Sequence, residues 1–242
     1  MKNAVVVISG ASRGLGKTLA LAFGERGAVL GICSRNKSRL ADTERLLKSM
    51  GAPYVSDLVD VSSEGDVTRF IQRVGSTFGR IDVLINNASV LGSRSSIGSY
   101  PANVWNEVMA VNANGAFYMT RHVLRIMLEQ NEGSIINVSS SVGRTGRALW
   151  GAYAVSKFAL EGLTEVLADE LHGTGIRVNS VNPGPLATDM RREAYPEEDQ
   201  LKLRRPQDIL DVFFYLATDE SKHVTGQKLD AQNFHTLKFT VN

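Results

Sequence analysis

The stretch ISGASRGLGKTLALAF (8–23) leads from an apolar, β-branched run into a helical pattern rich in alanine and leucine, with Gly10, Gly14 and Gly16 at the junction. Glycines here permit a tight turn and let backbone N–H groups approach a phosphate at the positive end of a helix. Such glycines can also serve packing alone. Because this turn follows the first predicted strand and opens a helix, it indicates a dinucleotide-binding turn.

Short apolar runs alternate with helical patterns along the 242 residues. The predicted strands are 4–9, 28–33, 53–57, 81–86, 133–139 and 175–182. The predicted helices are 14–26, 36–50, 63–78, 103–130, 152–172 and 206–218. Several strands are apolar on both faces, so this order predicts an α/β fold: a single-domain (1–242), Rossmann-type doubly wound parallel sheet with helices on both faces. Ligands of such sheets bind beyond the carboxyl ends of the strands.

The composition favours an ordinary cytoplasmic protein. The 27 Lys and Arg and 25 Asp and Glu residues are scattered, so we expect neither a nucleic-acid nor a membrane partner. Cys33 is the only cysteine, which excludes an intrachain disulfide, and its apolar neighbours predict a buried structural thiol. The four dispersed histidines predict no metal site. The first strand begins too early to leave room for a signal peptide, and no apolar run reaches membrane-spanning length.

The end of the second predicted strand bears on the choice of cofactor. A fold that prefers NAD usually has an Asp or Glu here, but this chain has Ser34 and Arg35, and Arg13 projects from the glycine turn. Guanidinium and hydroxyl groups hold a 2′-phosphate through charge-assisted hydrogen bonds, so we predict NADP(H). After the third strand, Asp60 and Val61 are expected beside the adenine, and Asp60 is also a candidate cap for the next helix.

The segment GAYAVSKFALEG (151–162) lies in a predicted helix, where Tyr153 and Lys157 share one face and Ser156 lies on the adjacent flank. A Tyr-x-x-x-Lys spacing arises by chance in many chains. By itself it does not distinguish an ordinary solvated turn from a tyrosine whose proton transfer is controlled. The other motifs of the chain decide between these interpretations.

Several motifs occur in one order along nearly the whole chain. They are SGASRGLG (9–16), NNAS (86–89), VNANGAF (111–117), SSSVG (139–143), YAVSK (153–157) and NPGPLATDM (182–190). Together they resemble the short-chain dehydrogenase/reductase family, and the chain is closest in look to its 3-oxoacyl-[acyl-carrier-protein] reductases. Each motif is weak alone, but their common order is specific.

The resemblance implies a catalytic tetrad of Asn112, Ser140, Tyr153 and Lys157. Tyr153 then exchanges the proton of the substrate oxygen, and the Lys157 ammonium favours the phenolate and holds the nicotinamide ribose. Ser140 donates a hydrogen bond to the substrate oxygen, and Asn112 helps to hold a water on the proton path.

The serine assignment is the least secure of the four, because three serines stand in a row. Ser140 lies thirteen residues before Tyr153, which is the family's usual separation, and Ser139 and Ser141 stay open as alternatives. Ser156 is expected to be a spectator.

The resemblance also implies the cofactor contacts. The expected residues are Gly10, Ser12, Arg13, Gly14, Leu15, Gly16, Ser34, Arg35, Asp60, Val61, Asn87, Ala88, Tyr153, Lys157, Pro183, Gly184, Leu186 and Thr188. The Leu186–Thr188 segment resembles the one that binds the nicotinamide carboxamide.

Three departures from the family pattern affect the prediction. Ser89 replaces the usual glycine of the NNAG motif. The segment from Thr188 to Pro206 is short and charged, which predicts a small lid and an open pocket. Finally, alternating apolar residues at Leu237, Phe239 and Val241 predict an extra edge strand or an arm against another subunit, with a disordered tail as the alternative.

These observations predict an NADP(H)-dependent oxidoreductase that interconverts a ketone and a secondary alcohol. The first alternative is a 3-oxoacyl-[acyl-carrier-protein] reductase, although the family's carrier-docking arginines correspond to Asn131 and Thr174, for which Arg121, Arg125 and Arg177 are partial substitutes. The second is a non-catalytic NADPH-binding regulatory or sensor protein. The expected partners are a small carbonyl or alcohol substrate and further copies of the chain, as a homotetramer or homodimer.

Overall fold

The protein, described by a computed structural model over residues 1–234, is built around seven parallel strands. The strands are β1 Val5–Ser9, β2 Val29–Ser34, β3 Tyr54–Leu58, β4 Val83–Asn86, β5 Gly133–Val138, β6 Ile176–Asn182 and β7 Lys228–Asp230. They form one sheet in the order β3-β2-β1-β4-β5-β6-β7. The order reverses between β1 and β4, which confirms the predicted doubly wound α/β fold and creates a topological switch point there.

Within residues 1–234, eight α-helices connect the strands and cover the sheet. They are α1 Gly14–Glu25, α2 Lys37–Ser49, α3 Glu64–Phe78, α4 Ala102–Met109, α5 Gly115–Gln130, α6 Gly151–Glu170, α7 Asp189–Ala194 and α8 Asp211–Leu216. None of the helices within residues 1–234 combines the length and the apolar character needed to cross a bilayer.

Both faces of the sheet are buried, because successive strand residues point to opposite sides. Val6 of β1 packs in a core with Phe23 of α1 and Phe213 of α8. Val7, the next residue, packs in a second core with Phe70 of α3 and Met119 of α5. Burying a large apolar side chain contributes about 2 kcal/mol, so the two cores explain the apolar strand runs.

Side-chain caps begin α2, α3 and α7, the last through Thr188. Asn36 accepts from the backbone N–H of Arg39 at the start of α2, and Ser63 accepts from that of Asp66 at the start of α3. Asp60 accepts instead from Ser62, so the expectation that Asp60 caps this helix is wrong. Caps of this kind typically contribute about 1 kcal/mol.

The predicted helix 103–130 is interrupted. It consists of α4, a π-helical turn at Ala110–Asn114, and α5. The predicted helix 206–218 likewise begins as a 3-10 turn at Pro206–Ile209 before α8. β7, which pairs with β6, is absent from the sequence prediction. The edge strand, arm or tail predicted from Leu237, Phe239 and Val241 lies outside the described residues, so the extent of the domain to residue 242 stays a prediction.

Candidate active site

A cavity of about 690 Å³ opens beyond the carboxyl ends of the strands. Apart from Asp60 and Asn112, every predicted site residue lines it. These are Gly10, Ser12, Arg13, Gly14, Leu15, Gly16, Ser34, Arg35, Val61, Asn87, Ala88, Ser140, Tyr153, Lys157, Pro183, Gly184, Leu186 and Thr188. The fold therefore brings residues from across the whole chain to one edge of the sheet.

The glycine turn lies directly against the loop that follows β4. Gly10 has φ +69°, and a Cβ on Gly16 would lie 2.3 Å from the Gly10 carbonyl oxygen and 2.4 Å from Asn87 Nδ2. The Ser9 hydroxyl accepts from the backbone N–H groups of Asn87 and Ala88, both at 3.0 Å. A side chain at either glycine would push this turn away from the loop, so these two positions require glycine.

Three arginines gather at the end of the cavity nearest β2. Arg13 and Arg39 lie 3.7 and 3.8 Å from the carboxylate of Asp189, and Arg35 lies 3.7 Å from both Asp60 and Glu107. The ion pairs are about half exposed, and exposed pairs contribute little stability, so these arginines can exchange partners.

Arg39 is absent from the sequence-based list of site residues. It lies one helical turn after Arg35 at the start of α2, so a search for basic residues at i+4 would have found it. Ser34 donates to Ser12 at 2.7 Å, and these two predicted contacts therefore form one hydroxyl pair beside the arginines.

Val61 lines the cavity, whereas Asp60 does not. Burial raises the pKa of Asp60, but hydrogen bonds from Ser62 and the nearby Arg35 outweigh it and hold the pKa below its usual value. Asp60 is therefore an anion already engaged with Arg35, and its contact with adenine stays a prediction.

Tyr153 and Lys157 lie on one face of α6, as their spacing predicts. Lys157 is 2% exposed, and its Nζ donates to the Val138 carbonyl at 2.7 Å and lies 5.5 Å from the centre of the Tyr153 ring. Burial lowers the pKa of Lys157 to about 8, although the carboxylate of Glu161 opposes this shift. Burial raises the pKa of Tyr153 to about 12.

Two serine hydroxyls act on the Tyr153 phenol. Those of Ser140 and Ser89 both lower its pKa against the effect of burial. The Ser89 hydroxyl is buried beside the phenol and makes no other hydrogen bond within residues 1–234. Ser139 and Ser141 also line the cavity, but Ser140 is the serine of the run whose hydroxyl lies against the Tyr153 phenol.

Asn112 lies in the π-helical turn, behind the cavity wall. Its side chain accepts from the backbone N–H of Val90 at 2.8 Å and donates to the Val90 carbonyl at 2.9 Å. It also donates to Ser156 Oγ at 3.0 Å, and Ser156 donates to the Tyr153 carbonyl. Ser156 is therefore a structural link between the π turn and α6; it does not line the cavity, and its role as a spectator of the chemistry stays a prediction.

Aromatic residues form the other end of the cavity. The Trp150 ring lies 5.6 Å from that of Tyr153 and 5.9 Å from that of Tyr195, measured between ring centres. Leu91 and Val142 complete this apolar wall. Trp150 and Tyr195 are missing from the sequence prediction because they lie in loops, where neither periodicity nor the family motifs mark them.

The segment after β6, for which the sequence predicts a small lid, contains the six-residue helix α7 and a 3-10 turn at Gln200–Lys202. Met190 and Arg191 from α7 line the cavity, and the role of the segment as a lid stays a prediction. Arg191 forms a two-point salt bridge with Glu198, at 2.5 Å for both contacts, which holds the segment together.

Comparisons with known proteins agree with this architecture. The family model described as short chain dehydrogenase matches residues 4–199. An uncharacterized oxidoreductase, YciK of Escherichia coli K12, is 37% identical over 236 residues, which cover 96% of this chain and 93% of the relative. The 3-oxoacyl-[acyl-carrier-protein] reductase FabG of Thermotoga maritima is 34% identical over 238 residues, 94% of this chain and 95% of the relative.

One solved structure shows the same fold with a cofactor bound. A short-chain dehydrogenase from Escherichia coli CFT073, in complex with NADPH, superposes with a TM-score of 0.91 at 37% identity, covering 96% of this chain and 98% of its own. The doubly wound sheet and its glycine turn define an oxidoreductase of the nicotinamide-dinucleotide class. With the family match, the chain belongs to the short-chain dehydrogenase/reductase family.

The buried lysine should make the stability of the protein depend on pH. The pKa of Lys157 is about 8 in the folded protein against 10.5 for a free lysine, so above pH 8 the unfolded chain binds more protons at this site. Stability should therefore rise with pH in this window. Relative to Lys157→Met, which does not titrate, the wild type should gain about 2 kcal/mol in free energy of unfolding between about pH 7 and pH 9.5.

Urea unfolding at the two pH values measures this difference. Lys48→Met, at an exposed position of α2, is the matched control. If the wild type and Lys157→Met showed parallel pH dependence, the burial of a titrating lysine would be refuted.

Proposed function

We propose that the protein is an NADP(H)-dependent oxidoreductase that interconverts a ketone and a secondary alcohol, with Tyr153 as proton donor and acceptor. The observation that carries this proposal is the common cavity. Tyr153, Lys157 and Ser140 line the same space as the glycine turn, so a hydride donor and a proton donor can meet at one carbonyl group.

The cavity fits the proposed cofactor in two respects. A Cβ at Gly10 or Gly16 would clash with neighbouring backbone. The absence of side chains at these two positions allows the close approach that a pyrophosphate needs. Arg13, Arg35 and Arg39 supply more guanidinium charge than a 2′-hydroxyl requires and suit a 2′-phosphate. The NADPH in the solved relative also supports this choice.

When bound, the dinucleotide supplies or accepts the hydride. Side chains of the protein carry out the proton transfer and stabilise the charges that develop. With a pKa of about 12, Tyr153 is protonated at neutral pH and ready to donate to an alkoxide-like oxygen. Ser140, beside the phenol, donates a hydrogen bond to the same oxygen, and the Lys157 ammonium stabilises the phenolate that remains.

At neutral pH the free enzyme holds Tyr153 in the protonated form that reduction requires. For oxidation, Tyr153 must first lose its proton, which at pH 7 costs about 7 kcal/mol for a pKa of about 12. The positive charge of Lys157 and of an oxidised nicotinamide offsets part of this cost. Alcohol oxidation should therefore accelerate with rising pH more strongly than ketone reduction.

Replacing the tyrosine tests the proton transfer. Tyr153→Phe should lower kcat for ketone reduction by about 10² to 10⁴-fold, because general acid catalysis is lost while the cavity keeps its shape. NADPH oxidation with a panel of ketones gives kcat, and fluorescence titration gives NADPH affinity, which should change less than about threefold. Tyr118→Phe, on α5 and away from the cavity, is the control. Full activity of Tyr153→Phe would contradict the mechanism.

Cofactor choice is tested at the arginine cluster. Arg35→Glu should weaken NADPH binding at least about tenfold by repelling the 2′-phosphate, with a smaller effect on NADH. Arg45→Glu, also on α2 but outside the cavity wall, controls for surface charge. Equal wild-type affinity for NADH and NADPH would exclude the proposed preference.

A 3-oxoacyl-[acyl-carrier-protein] reductase is the second candidate, supported by the 34% identity to FabG. The residues at the positions expected to dock a carrier protein give this candidate less support. Arg177, one proposed substitute, cannot dock a partner because its guanidinium donates to the carbonyls of Leu216 and Ser221. Turnover of a β-ketoacyl thioester well above that of simple ketones would favour this candidate. Tight NADPH binding without any turnover would instead favour a non-catalytic sensor.

We also propose a homo-oligomer, either a tetramer or a dimer, in the cytoplasm. Five large apolar side chains on α5 and α6 are 40% to 54% exposed: Phe117, Leu128, Val155, Phe158 and Val166. Exposed apolar side chains grouped on two helices are a feature of protein contact surfaces. Analytical ultracentrifugation of the full chain should give two or four copies, and a monomer at micromolar concentration would contradict the proposal.

A further inference from the structure

We propose that the substrate is a carbonyl compound that also carries an anionic group, and that Arg147 binds this group. The inference rests on the proposed function, since it concerns the substrate end of the same cavity. It follows from the charges of the cavity wall and from the apolar surface between Tyr153 and Arg147.

Arg147 differs from the other arginines of the cavity wall. Four of the five have a carboxylate within 4 Å: Arg13, Arg35, Arg39 and Arg191. Within the part of the chain that the structure describes, Arg147 has no such partner. Its Nη1 donates to the Tyr195 hydroxyl at 3.1 Å, and this neutral acceptor leaves the guanidinium charge uncompensated.

Within residues 1–234, no carboxylate lines this end of the cavity, and Glu198, which approaches it through Arg191 on the Tyr195 ring, is paired with that arginine. Among the described residues, Asp189 is the only Asp or Glu in the wall, and it lies between Arg13 and Arg39 at the opposite, phosphate-binding end. An anion beside Arg147 would therefore be attracted by the guanidinium and would not be repelled by an unpaired carboxylate of the wall.

Two further features add positive potential at the same end. Arg94 lies 4.6 Å above the centre of the Trp150 ring and donates to the Ala194 carbonyl. The twenty-residue helix α6 also begins next to Trp150 and has no side-chain cap. Its N-terminus is the positive end of the helix dipole.

An apolar wall connects Arg147 with Tyr153. The Trp150 ring contacts both Tyr153 and Tyr195, and Tyr195 holds Arg147. A substrate that places its carbonyl at Tyr153 and its anion at Arg147 must lie along these rings. It therefore needs an apolar body, preferably a flat one, between the two groups. The planar guanidinium can pair with a carboxylate or a phosphate.

The expected effect on binding is moderate. Arg147 lies at the exposed rim, where water weakens charge interactions. We therefore expect the anion to improve KM by about tenfold, which is typical of one charge-assisted hydrogen-bonding group in a partly hydrated site.

The test compares matched substrates with and without the charge. The probes are 4-acetylbenzoate, its neutral methyl ester, and 4-acetylphenyl phosphate, each with a flat ring between the carbonyl and the variable group. In the wild type, at least one anionic probe should have a KM about tenfold below that of the methyl ester. In Arg147→Gln this ratio should fall to within about threefold, and Arg147→Lys should keep part of it. Arg125→Gln, on exposed α5 surface outside the cavity wall, should keep the wild-type ratio.

Each outcome decides the question. Preference for the carboxylate or for the phosphate supports the inference and identifies the anion. The inference is overturned if the wild type has equal KM for charged and neutral probes, or if the ratio of these KM values is unchanged in Arg147→Gln. In either case, turnover of the methyl ester still supports the proposed function. Failure of the wild type to oxidise NADPH with any probe counts against both.

Discussion

The close approach of the glycine turn to the loop after β4 constrains the rest of the structure. Ser9 binds two backbone N–H groups of this loop through its hydroxyl, and Asn87 returns a hydrogen bond to the Ser9 carbonyl. Gly10 and Gly16 leave no space for a side chain between the two segments. Because the turn and the loop belong to neighbouring strands at the switch point, the pairing of β1 with β4 and the phosphate-binding surface form together.

A series of hydrogen bonds between buried amide and hydroxyl side chains fixes the position of α6, the helix that carries Tyr153 and Lys157. Asn86 on β4 donates to Asn137 on β5, and Asn137 donates to Thr164 on α6, at 2.9 and 2.8 Å. Asn112 anchors the same helix from the other side through Ser156. Such bonds are stronger in a dry interior than in water, so α6 is held in one position against the sheet.

The fold and the cofactor end were largely predictable from the sequence, because they depend on patterns along the chain. Alternating apolar runs predicted six of the seven strands, but β7 has only three residues and a single buried one, which gives no periodic signal. The π turn around Asn112 was also missed, since its residues are as compatible with an α-helix. Arg147 and Trp150 share one loop, but Tyr195 reaches them only through tertiary packing of a second loop, after α7. The substrate end was therefore the part that the sequence could not predict.

One buried ion pair has a consequence for how substitutions affect stability. The carboxylate of Glu161, one turn beyond Lys157, is 3% exposed and binds Arg144 and Ser180, and Arg144 also holds the Leu229 carbonyl of β7. Removing one partner of such a pair typically costs about 3 to 5 kcal/mol, whereas replacing both with apolar residues can be neutral. The stabilities of variants at Arg144 and Glu161 should therefore be coupled: losing either residue alone should cost more than losing both together.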